Sequence, residues 1–126
     1  MVNARFAKPL DEALLCGLLS ERERSVVVTV EDHGVAGGFG SAVLEMAQRH
    51  GLDTRGVRCL GLPDAFISHK SRGEQLIEVG IDSTGIAKTL RGLLSRDHKQ
   101  DQAEAASADR GERRKLKSEF ALGESS

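Results

Sequence analysis

Glu31, Asp32 and His33 stand side by side, and four residues after the histidine comes the run Gly37, Gly38, Phe39, Gly40. A carboxylate beside an imidazole can move a proton. Glycines leading into a helix can leave backbone amides free to seat an anion. No nucleophile or metal-ligand trio accompanies the acid–histidine run, so catalysis by this chain is not expected, and residues 31–33 are expected to form a polar interface or loop. Gly38 and Gly40 supply the first two glycines of a dinucleotide fingerprint, but Val43 stands where the third belongs. A triphosphate loop needs a lysine at the helix entry, and none occurs between Glu31 and Arg49. Ser41 lacks the glycines of a nucleophile elbow, since Phe39 and Val43 occupy those places. The glycines are therefore expected to serve backbone geometry and close helix packing, with a seat for a small anion as the alternative. His50, His69 and His98 are dispersed without ligand spacing, so no metal site is expected.

The elements that position these residues follow from periodicity. "SVVVTVE", Ser25 to Glu31, is a β-branched run that suits a strand, and its continuous hydrophobicity predicts cover on both faces. Glu31 to His33 then fall at the carboxyl end of a central strand, where open α/β sheets place ligands. "SAVLEMAQRH" puts Val43, Met46 and Ala47 on one helical face and ends at Gly51, suited to a left-handed cap. Upstream, Val2 to Phe6 is a short strand candidate, and Asp11 caps a helix carrying Leu14, Leu15, Leu18 and Leu19 to about Ser20. Downstream, Val57 to Leu60 is a third strand closed by Pro63. Ser71 and Glu74 form a capping box, and Asp82 caps a helix with Ile86, Leu90, Leu93 and Leu94 on its apolar face.

This order predicts an α/β fold, three layers around a mostly parallel sheet, over residues 1–95. Residues 96–126 are polar and of mixed charge and are expected to form a disordered tail, with transient helix as the alternative. Its basic knot, Arg113, Arg114, Lys115 and Lys117, is flanked by acids and reads as a solvated surface.

Composition narrows the partners. The chain has 126 residues, 39% hydrophobic, enough for one core and too few for a second domain. With 18 basic and 19 acidic side chains the net charge is −1, which gives no field to draw nucleic acid or an anionic membrane. Aromatic content of 3% offers no base-stacking platform. Cys16 and Cys59 lie in apolar segments without CxxC spacing, as small hydrophobes in a reducing compartment. No apolar run reaches membrane-spanning length and no secretory segment precedes the first element, so a cytoplasmic location is expected.

Three blocks, "VNARFAKPLD", "VVVTVEDHGVAGGFGSAVLE" and "LGLPDAFISHKSRGEQLIEVGIDSTGIAKTL", run in the order of the C-terminal domain of the 1-deoxy-D-xylulose-5-phosphate synthases, and together they resemble it over residues 2 to about 94. The resemblance implies the transketolase superfamily. It implies an enzyme that uses thiamine diphosphate and Mg to decarboxylate pyruvate and join the two-carbon unit to glyceraldehyde 3-phosphate, for isoprenoid precursors. In that family the cofactor and catalytic groups belong to the two preceding domains, so the resemblance assigns no catalytic, cofactor or metal residue here. The partners it implies are those cofactor-binding domains or a second copy of the chain.

The sequence departs from the family in three ways. It begins almost inside the first matched strand, so the domain is N-terminally incomplete, lacking its first strands and helix, and an interior sheet strand is expected to be missing. Lys70 stands where the family's turn commonly has glycine. The tail beyond Arg96 is longer than the family's usual end. The missing strand raises the alternative of a stand-alone interaction module that pairs through an exposed strand.

Overall fold

The computed structural model describes residues 1–21 and 26–123. Six elements follow in order: α1 (Glu12–Ser20), β1 (Val27–Gly34), α2 (Phe39–Arg49), β2 (Val57–Leu62), α3 (Arg72–Val79) and α4 (Ser83–Gly123). The fold is α/β: β1 and β2 pair in parallel, with Val27 opposite Val57, Thr29 opposite Cys59 and Val30 opposite Leu60. A parallel pair needs a crossover, and α2 supplies it.

The core lies between the helices and one face of this sheet. Leu15 and Leu19 of α1 meet Val43, Met46 and Ala47 of α2, the last three fully buried, and α2 in turn lies against both strands. Their spacing of three and four residues along each helix is what lets one stripe meet the other. At its far end α2 stops as expected, with Gly51 at φ +64° and the Leu52 amide donating to the Ala47 carbonyl.

Several expectations are corrected. Val2 to Phe6 is not a strand: Arg5 takes φ +54°, the Phe6 amide turns back to the Ala4 carbonyl, and the segment has no ladder partner among the described residues. Among the described residues the sheet has two strands, not three. The first of them runs further than "SVVVTVE", taking in Asp32, His33 and Gly34, because Gly34 still finds Leu62 on β2, itself extended by Gly61 and Leu62. Ser25, the expected first residue of that strand, lies outside the described residues. Nor is the strand covered on both faces. Val30 is 45% exposed, since α2 covers only the side that carries Thr29 and Glu31. Lys70 carries no positive-φ strain, and its ammonium pairs with Glu78 at 2.6 Å.

The chain divides into two compact units, Met1–Leu94 and Ser95–Ser126. In the second unit the expected disordered tail is instead helical to Gly123. Alanine, glutamate, lysine, arginine and glutamine dominate it, all good helix formers, no proline interrupts it, and an Asp109–Arg113 pair sits at i,i+4. The described side chains of residues 95–121 are all exposed.

Candidate functional site

The residues singled out for chemistry gather at the carboxyl end of β1, but they do not face one another. Alternation along a strand sends Asp32 to the side opposite Glu31, and Glu31 and His33 are separated by the partners each one takes. Glu31 turns toward α2, while Asp32 pairs with Arg72 of α3. His33 is exposed and its Nδ1 lies 3.2 Å from the Gly34 carbonyl oxygen. The acid and imidazole therefore stay apart, and no proton-transfer pair is assembled.

Glu31 meets the glycine loop directly. Its Oε2 accepts from the Phe39 amide at 2.7 Å and its Oε1 from the Gly40 amide at 3.0 Å. These are the first two amides of α2, and Gly38, the residue at the cap position, has no side chain to serve them. A helix start leaves such donors without partners and carries a partial positive charge, so a carboxylate held there satisfies both. The group that fills the anion seat is thus a side chain of the same protein, delivered from β1.

The glycines fit this closure one by one. A Cβ at Gly38 would collide with the Glu31 carboxylate and the Gly34 carbonyl oxygen. A Cβ at Gly40 would stand 2.7 Å from Cys59 and from Thr29 Oγ, so its absence lets α2 lie close on both strands. Gly37 takes φ +72°. Ser41 finishes the loop: its hydroxyl donates to the Val35 carbonyl at 2.8 Å and accepts from the Gly37 amide at 3.1 Å. Phe39 packs half-buried against the core. Beneath Gly40, Thr29 is 6% exposed and its Oγ has no hydrogen-bond partner among the described residues.

Elsewhere the charged groups tie elements together. Glu12 on α1 receives Arg49 at 2.8 Å and lies 2.9 Å from His50 Nε2, both at the end of α2. The bond from His50, with Arg49 in support, holds the Glu12 carboxyl below its ordinary value. Glu74 is likewise held down by the Ser71 hydroxyl and amide, and Asp53 by Arg55. Among the described residues, no three or more of His, Cys, Asp and Glu are grouped so as to hold a metal ion. No helix there is long and apolar enough to cross a membrane.

Sequence reasoning placed Glu31 in an acid–histidine group and missed its part as the cap of α2. The available signal was an acid at a strand end followed by a helix whose cap position is glycine. It also missed that Phe66 is fully exposed.

Fold and loop together define an α/β domain whose glycine turn is closed by its own acid. Comparison with known proteins gives the particular kind. The family described as "Transketolase, C-terminal domain" matches residues 1–86, and the chain belongs to it. It is 45% identical over 106 residues to the 1-deoxy-D-xylulose-5-phosphate synthase of Anaeromyxobacter sp. (strain Fw109-5), which covers 82% of this chain and 16% of that protein. The synthase of Anaeromyxobacter dehalogenans (strain 2CP-C) is 50% identical over 96 residues, covering 75% and 15%. That of Symbiobacterium thermophilum is 42% identical over 114 residues, covering 90% and 17%. The chain thus spans about one-sixth of the length of the curated relatives it matches.

Proposed function

We propose that the chain serves as the C-terminal domain of a 1-deoxy-D-xylulose-5-phosphate synthase and acts by packing rather than by chemistry. The observation that carries this reading is the 45% identity over 106 residues confined to 16% of the relative. The reaction would be the condensation of pyruvate with glyceraldehyde 3-phosphate with loss of CO2, in the cytoplasm, on thiamine diphosphate and Mg held by the preceding domains. This chain's residues do not fit that cofactor. The Phe39 and Gly40 amides, where a diphosphate could have been received, already donate to Glu31, and a second anion there would meet like charge. The same contact argues against a separate anion-binding role for Gly37 to Gly40.

The test is to supply the purified chain with pyruvate, glyceraldehyde 3-phosphate, thiamine diphosphate and Mg. No CO2 release is expected above the protein-free control, and turnover by the chain alone would overturn the reading. A second reading, self-association through β1, is favoured by the exposure of Val30 and by an edge of β1 that no described strand pairs. Sedimentation at micromolar concentration tests it, and a strict monomer removes it.

A further inference from the structure

The part of α4 beyond Leu94 is a long helix whose described side chains all stand in solvent up to Ala121. A helix in that state gains nothing from packing, which stabilises most protein helices. The family match ends at residue 86, so the domain reading gives this stretch no role. One face of it is nonetheless patterned. At about 3.6 residues per turn, Ala105, Ala106, Asp109, Arg113, Leu116 and Phe120 fall in one stripe roughly 100° wide. Along that stripe the order is small apolar, acid, base, large apolar. Leu116 is 61% exposed and Phe120 76%. Asp109 and Arg113 pair within the helix at 3.0 Å, yet their side chains stay 60% and 77% exposed, which leaves each able to take a further partner.

Reversed, the stripe is its own complement. When two copies are laid antiparallel with Asp109 of each opposite Arg113 of the other, Leu116 comes opposite Ala106, and Lys117 falls beside Glu104. Large side chains then meet small ones, and acids meet bases. A parallel arrangement would instead set Asp109 against Asp109, Arg113 against Arg113 and Phe120 against Phe120. We propose that residues 104–120 of α4 form a pairing surface for a second copy of this chain, antiparallel, with the Asp109 and Arg113 side chains of the two copies crossing at its centre. Every contact occurs twice about a two-fold axis, so the surface closes on itself. Burial of Leu116 and Phe120 supplies the attraction, and the central charges set orientation and register. The surface uses no residue of β1.

The experiment is sedimentation equilibrium of the full chain over a concentration series from micromolar to millimolar. The wild type should pass from monomer, in which the stretch is a lone helix, to dimer. Asp109→Arg and Arg113→Asp each bring like charges together at the centre, and each should weaken the dimer at least about tenfold. Mixed in equal amounts, the two variants should pair to within about threefold of the wild type, because each then meets the charge it lacks. The mixture cannot restore the ion pair inside either helix, so recovery reads contact between copies. Orientation is read by a zero-length carbodiimide cross-link in the wild-type dimer, which should join Lys117 to Glu104. Those two lie about 20 Å apart along one helix, so the link forms only between copies. A strict monomer at every concentration would overturn the proposal. So would a dimer indifferent to both variants, which is the result expected of pairing through β1. Failure of the mixture to recover, or a cross-linked dimer without the Lys117–Glu104 link, would overturn it as well.

Discussion

Helices α2 and α3 both begin with their free amides capped by a side-chain oxygen, yet the caps come from different distances. At α3 the device is local: the Ser71 hydroxyl faces the Glu74 amide and the Glu74 carboxylate accepts from the Ser71 amide, three residues apart. At α2 it is remote: Glu31 reaches eight residues forward to Phe39 and nine to Gly40, from another element. The local cap stabilises one helix. The remote cap fixes a strand, a turn and a helix to one another, so its loss should spread through the first unit.

Crowding the remote cap gives the largest expected effect. Gly38→Ala would press a methyl group into the Glu31 carboxylate and the Gly34 carbonyl. It should cost about 3 kcal/mol, at the upper end for overpacking, because it also dislodges the cap. Calorimetry checks this, and a variant as stable as the wild type would show that the turn has a second arrangement open to it. Next is Glu31→Ala, which removes the acceptor of both half-buried amides and should cost about 1–3 kcal/mol. Hydrogen exchange should then speed up at Phe39 and Gly40 while α3 stays protected. Equal loosening at α3 would break the distinction between the two caps.

The smallest effect is expected at the local cap. Ser71→Ala should cost about 1 kcal/mol, confined to the first turn of α3. It also carries a pH signature. Glu74 is held below its ordinary value of 4.5 by Ser71, so its folded form binds a proton less readily than its unfolded form. That stabilisation is present above the ordinary value and is lost as pH falls through the lowered one. Ser71→Ala should therefore flatten the acid limb of the stability profile. An unchanged limb would assign it to Glu12 or Asp53, the other lowered carboxyls among the described residues.

The same contrast explains how much could be read from the sequence. The Ser71 and Glu74 pattern, the Gly51 stop and the Val43, Met46, Ala47 stripe are written within one or two helical turns, and each is found in the structure. The family blocks were also legible, since their order in one chain is independent of any contact. The role of Glu31 was not, because it depends on where β1 delivers a side chain relative to α2. The same holds for Val2 to Phe6, where strand-like residues find no ladder partner among the described residues. Residues 96–123 were only half legible: their lack of an apolar stripe suggested a disordered tail with at most transient helix, and their helix-favouring composition is what agrees with the helix found there.

The long α4 also decides which instruments can see the domain unfold. It contributes 41 helical residues, against 9, 11 and 8 in α1, α2 and α3, so far-ultraviolet circular dichroism will report chiefly α4. The exposed stretch of α4 beyond Leu94 melts gradually, and its broad slope would mask a cooperative step in the core. With no tryptophan or tyrosine in the chain, intrinsic fluorescence offers no substitute. The methyl groups of Val43 and Met46, shut away from water at the centre of the first unit, are the reporters that would follow the core itself.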